Sequence, residues 1–230
     1  MGGGTFASSG TRTPLDEFVL SLARARRNAE RPAICFIGTA TGDDAGYIER
    51  FHAAFDDVAE ATHLALFSRT VEDVRSFLPA HDAICVGGGN TASLLAVWRA
   101  HGVDEALRAA HDAGVVLAGA SAGSICWFEG GTTDSFGPTL HGLTGGLGLI
   151  AGSHSPHYDG EPQRRPTYQR LVAEGSLSAG IAVDDHAAAI YDGPDLVEVI
   201  AAHAGPTAYR VARGPDGRAI ETQLAARILP

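Results

Sequence analysis

The chain has 230 residues, of which 45% are hydrophobic and 19% charged, and its formal net charge is -10. That length supports one substantial core, so a single domain over residues 1–230 is expected. The acidic balance offers no basic stripe to neutralise phosphates, which argues against a nucleic acid or an anionic membrane as partner.

All 17 basic residues are arginine. Without lysine there is no Schiff-base lysine, no P-loop lysine and no serine–lysine dyad. Cys35, Cys85 and Cys126 sit in apolar runs and cannot all pair; they read as buried small hydrophobes in a reducing compartment. No run reaches transmembrane length and no basic–apolar signal pattern opens the chain, so a soluble cytoplasmic protein is expected.

After the start Met1-Gly2-Gly3-Gly4, the recurrence of Leu15, Phe18, Val19 and Leu22 predicts a helix, opened by the cap and first-turn proline of Thr13-Pro14-Leu15-Asp16. Ala33–Ile37 reads as a strand, followed by a helical stripe of Tyr47, Phe51, Ala54 and Phe55. Leu64–Phe67 is the next strand candidate. Thr70-x-x-Asp73 caps a third helix carrying Val71, Val74 and Phe77. Ala83–Val86 is a strand, Leu94, Leu95 and Trp98 mark a fourth helix, Val103 to Ala110 a fifth, and Val115–Ala118 a further strand. A helix over Pro166–Glu174 follows. Ile181–Tyr191, Leu196–Ala201 and Tyr209–Ala212 are late strands separated by Gly/Pro/Asp turns, which predicts a more antiparallel edge.

Strand–helix alternation predicts an α/β architecture, a mostly parallel sheet with helices on both faces. Ligands in such sheets gather at the carboxyl ends of the strands. Two segments stand there. Gly119-Ala120-Ser121-Ala122-Gly123 follows an apolar β-branched run and matches the strand–elbow–helix pattern that presents a nucleophilic serine. The plainer reading is a strand–turn–helix with a capping serine. Val86-Gly87-Gly88-Gly89-Asn90-Thr91 leaves bare backbone N–H groups after a strand, able to face an oxyanion. It reads equally as a turn capped by Asn90 or Thr91, and its spacing fails as a dinucleotide fingerprint.

A serine nucleophile needs a base, and ten histidines are available. His154 and His157 lie in the polar run Gly152–Glu161, where Pro156 stiffens the backbone beside His157, which suits a positioned base. An exposed loop histidine is the alternative. Asp134, in Thr132-Thr133-Asp134-Ser135, is the candidate orienting carboxylate, with Glu129 nearer in sequence. The order Ser121, Asp134, His157 is a permitted triad order, but it is compressed into 37 residues, unlike an α/β-hydrolase.

Taken together, Gly87-Gly88-Gly89-Asn90-Thr91, Gly119-Ala120-Ser121-Ala122-Gly123, Thr132-Thr133-Asp134 and Pro156-His157-Tyr158 resemble the peptidase E family of serine peptidases, which includes aspartyl dipeptidases and is related to cyanophycinases. Gly38-Thr39-Ala40-Thr41-Gly42-Asp43 is similar to the family as well. The resemblance implies a three-layer fold like that of class I glutamine amidotransferases, with Ser121 as nucleophile, His157 as base, Asp134 as orienting acid, and oxyanion donors at Gly88 or Gly89 and at Ala122. Ser155 and Tyr158 depart from the asparagine and phenylalanine that flank the proline–histidine pair in the best-known members. The family also has an apolar strand before its first glycines, where this chain has Met1-Gly2-Gly3-Gly4.

The expected function is therefore serine-type exopeptidase action on short peptides, including dipeptides with an N-terminal aspartate. Arg164 and Arg165 are candidates for binding that carboxylate, Glu161 for the substrate amine, and Asn90 for a further substrate contact. The arginines read equally as a solvated cluster opening a helix. No cofactor and no metal is expected, since the histidines and carboxylates lack zinc-ligand spacing. The partner is a small peptide substrate, and the oligomeric state is open, a homodimer included. A non-catalytic small-molecule binding or regulatory domain that kept the elbow is the rival reading. A glutamine amidotransferase would need a cysteine where Ser121 stands.

Overall fold

The computed structural model describes residues 1–230. The first half is a regular β/α alternation. Helix α1 (Pro14–Arg27) begins where the sequence predicts, with Thr13 and Asp16 forming a reciprocal capping box and Pro14 in the first turn. Asp16 is buried, and its Oδ2 accepts from Phe6 N, Thr13 N and Thr13 Oγ1, each at 2.8 Å. Strand β1 (Ala33–Ile37) leads through α2 (Ala45–Phe55) to β2 (Glu60–Leu64). After α3 (Val74–Phe77) come β3 (Ala83–Val86), α4 (Thr91–His101), α5 (Val103–Asp112) and β4 (Val116–Gly119).

These four strands form one parallel sheet in the order β2-β1-β3-β4. Alternation along β1 divides its side chains between two packed layers. Ile34 and Phe36 join Phe6, Leu20, Phe51 and Phe55 beneath α1 and α2. Cys35 and Ile37 join Leu94, Trp98 and Leu107 beneath α4 and α5. The helices on both faces of a parallel sheet are as expected, and each fully buried Leu or Phe contributes roughly 1.5–3 kcal/mol.

After β4 the chain turns into α6 (Ala122–Ile125), β5 (Phe128–Thr133), β6 (His141–Thr144), β7 (Ile150–Ser155) and α7 (Arg164–Glu174). The rest is strand: β8 (Gly180–Val183), β9 (Ala187–Asp192), β10 (Asp195–Ala201), β11 (Ala208–Arg213), β12 (Ala219–Gln223) and β13 (Ala226–Ile228). A six-stranded sheet runs β12-β11-β8-β7-β5-β6, with β5, β7 and β8 parallel and the flanking strands antiparallel. A three-stranded sheet runs β13-β10-β9. The antiparallel edge of the C-terminal third is therefore present.

Met1–Gly4 joins these parts. Met1 N donates to Gly119 O at 3.0 Å, and Ser121 N donates to Met1 O at 3.4 Å. Gly2 N donates to Ala187 O and His186 N to Gly3 O, both at 3.1 Å, with Gly3 bridging Asp185 in parallel fashion. Met1 also lines an apolar groove of about 460 Å³ shared by residues of β4 and β9, with Leu15, Val116, Ala118, Phe128 and Ile190 among its walls.

Four local expectations differ from the structure. The second strand is Glu60–Leu64 rather than Leu64–Phe67, because the Leu66 and Phe67 amides turn to Asp43 Oδ2 instead of joining the ladder. Asp73, not Thr70, caps α3, accepting from Arg75 N and Ser76 N. Helix α7 begins at Arg164 rather than at Pro166. Ile181–Tyr191 is two strands, β8 and β9, broken at Asp184-Asp185-His186, where His186 takes φ 63°. All three cysteines are free and buried, and no helix is long and apolar enough to cross a membrane.

Candidate active site

The elbow is built by close backbone approach. A Cβ on Gly119 would lie 1.8 Å from Gly123 O, and one on Gly123 would lie 2.2 Å from Val86 O. No side chain fits at either position. Between them Ser121 is held at φ 56° and ψ -120°, a conformation that costs a non-glycine residue roughly 1–3 kcal/mol. The surrounding contacts overcome that strain: Ser124 N and Ile125 N both donate to Ser121 O, at 2.9 and 3.0 Å. Ser121 thus stands at the carboxyl end of β4, at the start of α6.

The two loop histidines separate cleanly. His154 lies on β7, buried, stacked on Phe128 at 4.8 Å between ring centroids. Its Nδ1 faces Ile181 O at 3.1 Å and its Nε2 faces Ser124 Oγ at 2.9 Å. Burial holds its pKa well below the ordinary imidazole value. It is a core residue. His157 follows β7 at φ 53°, with 23% of its side chain exposed. Its Nδ1 bonds Asp185 Oδ1 at 2.6 Å. Nδ1–H donating to that carboxylate leaves Nε2 as the lone-pair nitrogen, with no hydrogen bond inside the protein.

The carboxylate on His157 is Asp185, and this corrects the expectation of Asp134. Asp134 is exposed on the turn after β5, with no side-chain hydrogen bond, and its carbonyl accepts from Gly137 N. Glu129 is on β5 and accepts from Gly152 N at 3.0 Å. Asp185 projects from the break between β8 and β9, oriented by its own amide donating to Asp159 Oδ1 at 2.8 Å. The hydrogen bond from His157 outweighs partial burial and holds the Asp185 carboxyl below its ordinary value. Gly3 makes room for the pair: a Cβ there would meet Asp185 Oδ1 at 2.2 Å and His157 Cε1 at 2.9 Å.

The glycine loop lies against the elbow. A Cβ on Gly88 would be 3.1 Å from Ser121 Cβ and 3.7 Å from its Oγ. The Gly88 amide reaches the Tyr47 hydroxyl at 3.3 Å, a long bond. The Gly89 and Ala122 amides make no hydrogen bond within the protein, and Gly89 sits at φ 135°. Unspent N–H groups beside a strained serine can stabilise a developing oxyanion.

The expected substrate-binding residues are engaged elsewhere. Arg164 is buried, paired with Glu161 at 2.7 Å, and donates to Thr132 O at 2.8 Å. Glu161 is thereby the partner of Arg164. Arg165 is paired with Glu221 and lies over the Tyr158 and Tyr209 rings. Asn90 caps α4 through Ser93 N at 2.8 Å and donates to Ser135 O at 3.0 Å. The Asn90 cap and the Glu161–Arg164 pair are local, three residues apart, whereas spacing gives no sign of the Arg165–Glu221 pair, whose partners are 56 residues apart.

A parallel α/β sheet with a strained serine at a strand end, a glycine loop beside it and a carboxylate-bound histidine after β7 holds the parts a serine hydrolase uses, although Ser121 Oγ and His157 Nε2 make no hydrogen bond to each other. The model of peptidase family S51 matches residues 1–199, and the chain belongs to that family: it is a serine peptidase. It is 45% identical over 212 residues to the uncharacterized peptidase YgaJ of Bacillus subtilis (strain 168), covering 92% of this chain and 90% of that one. Its fold is similar to the crystal structure of a peptidase from an acI-B1 Actinobacterium, with a TM-score of 0.73 at 19% identity, covering 98% of this chain and 92% of that one. A crystal structure of a protein from Listeria monocytogenes EGD-e is more distant, with a TM-score of 0.53 at 19% identity over 97% and 96% of the two chains.

Proposed function

We propose that this serine peptidase is an exopeptidase of short peptides in which Ser121 is the nucleophile, His157 the general base and Asp185 the group that holds the imidazole. The observation that carries the reading is the 2.6 Å bond between His157 Nδ1 and Asp185 Oδ1, which leaves Nε2 free to accept a proton. Ser121 Oγ attacks the scissile carbonyl as its proton passes to His157 Nε2. Asp185 stabilises the imidazolium without taking the proton. The N–H groups of Gly89 and Ala122 receive the oxyanion, with Gly88 as a third donor once it releases Tyr47; each such donor is worth about 3 kcal/mol. The imidazolium then protonates the leaving amine, and water repeats the cycle on the acyl-enzyme.

Acidic groups crowd the base. Asp159, Asp184 and Asp185 act on one another, and burial pushes the Asp184 carboxyl up to about 6. The exposed Asp159 of the base loop suits the free ammonium of a short peptide, which favours exopeptidase over endopeptidase action. The preference for an N-terminal aspartate came from the family resemblance, with Arg164 and Arg165 as its candidate binders. With both guanidiniums tied internally, it stands only as one arm of the test. The free, buried thiols suit a reducing compartment such as the cytoplasm.

The test is a panel of dipeptides and blocked peptides that varies the first residue, run on wild type and Ser121→Ala. Cleavage of free-amine dipeptides that vanishes in Ser121→Ala is expected. Activity that survives that substitution, or that prefers N-blocked peptides, overturns the proposal.

A further inference from the structure

Tyr158 directly follows the proposed base, and its ring lies in a small core with Tyr168, Leu171, Val172 and Val211. Its hydroxyl donates to Glu221 Oε2 at 2.6 Å. Gln169 Nε2 donates to the same oxygen at 2.8 Å, and Arg165 pairs with Oε1. The Arg165 guanidinium lies 5.4 Å from the Tyr158 ring centroid and 4.8 Å from that of Tyr209. One carboxylate on β12 therefore gathers a donor from the base loop and two from α7. Because β12 is the edge of the six-stranded sheet, this carboxylate ties the C-terminal hairpin to the site.

His157 needs such an anchor. Its φ of 53° is strained for an imidazole side chain, and a loop free to relax would leave that conformation. Two main-chain bonds restrain it: Tyr158 N donates to Val183 O at 3.2 Å and Glu161 N to His157 O at 3.1 Å. Both are ordinary neutral bonds. The bond from the Tyr158 hydroxyl goes to an ionised acceptor that is only 15% exposed, and bonds of that kind are about twice as strong.

We propose that Glu221 is a positioning residue for the hydrolytic reaction, fixing the backbone of His157 through the Tyr158 hydroxyl. It touches neither substrate nor reacting atoms. The inference rests on the Ser121–His157 reading above.

The readout is the second-order rate at which a fluorophosphonate labels Ser121, followed against pH, together with the thermal midpoint. Tyr158→Phe keeps the ring and its packing but removes the donor. It is expected to slow labelling about tenfold or more, since displacement of a reacting group by an ångström costs up to ~100-fold. The midpoint of the acidic limb, which reports the imidazole, is expected to move with it. Glu221→Gln retains an acceptor and is expected to recover most of the rate, whereas Glu221→Ala matches Tyr158→Phe. The double variant Tyr158→Phe/Glu221→Ala is expected to be no slower than either single variant, as for residues acting through one bond. Wild-type rate and an unmoved acidic limb in a folded Tyr158→Phe, with only the thermal midpoint lowered, would show a purely structural tie and overturn the inference. If wild type itself is never labelled, the hydrolytic reading fails first and takes this one with it.

Discussion

His157 and Asp185 meet at 2.6 Å across 28 residues of chain, joining the loop after β7 to the break between β8 and β9. In the proposed triad that contact gives the orienting role to Asp185. Asp185→Asn keeps the size of the side chain but changes the hydrogen bond it offers to Nδ1, favouring the wrong tautomer. A fall in kcat of about 10³–10⁴ is expected, as for the equivalent change in other triads. Asp134→Asn should leave kcat within about twofold, since an exposed turn residue without partners has little to lose. Steady-state kinetics on the best dipeptide compares the two directly.

The elbow glycines bear on stability as well as chemistry. Gly119→Ala and Gly123→Ala each drive a methyl group into backbone carbonyl at about 2 Å. Main chain cannot swing aside as a side chain does, so a loss of about 3 kcal/mol or more, or failure to fold, is expected. Gly102→Ala is the control: its φ of 68° is strained for alanine, but its Cβ meets nothing within 4 Å, and about 1 kcal/mol is expected. Denaturant unfolding measures all three.

Acid should destabilise the fold through His154. Burial holds its folded-state pKa well below 6.5, so between those values the unfolded chain binds more protons than the native one. This contribution to stability is complete above about pH 6.5 and declines as the pH falls. Asp16 runs the other way. Burial raises it to about 6, so the native state binds more protons between about 4 and 6, and its contribution weakens as the pH rises through that window. Unfolding free energies from pH 4 to 8 are expected to show a flatter acid limb in His154→Gln and a steeper loss toward acid in Asp16→Asn.

The arginines after the base loop should not set substrate preference. Arg165 is neutralised by Glu221 and held over two tyrosine rings. Arg165→Ala is expected to change the ratio of kcat/KM for acidic and neutral first residues by less than about threefold, well short of the contribution of a bidentate carboxylate contact. A larger drop confined to acidic substrates would mean that this pair opens to bind substrate.

The parts of the site that were legible in the sequence are those whose physics is local. The reason for Gly119 lies within five residues of chain, in its approach to Gly123, and both the apolar run before the pair and the helix after it are visible in composition, whereas Gly123 is also required by Val86 on the neighbouring strand. The capping box of α1 is local in the same way. Asp185 was hidden because it sits inside the apolar stretch Ile181–Tyr191, which reads as one strand. The break at Asp184-Asp185-His186 was the available signal: three polar residues at the carboxyl end of a buried run, the place where a parallel sheet presents its ligands. The Glu161–Arg164 pair is local, but the contacts of Arg164 with Thr132 and of Arg165 with Glu221 were not visible, because only the six-stranded sheet brings those partners together. The second strand was shifted for a related reason, since Asp43 captures the Leu66 and Phe67 amides from 23 and 24 residues away.

The most direct measurement is the site of covalent modification by a fluorophosphonate, read as a mass shift on the intact protein and located by peptide mapping. A single adduct on Ser121, absent in Ser121→Ala and slowed at least about a thousandfold in His157→Ala and Asp185→Asn, is the expected result. An adduct on another residue, or one on Ser121 that forms equally fast without His157 and Asp185, would contradict the assignment.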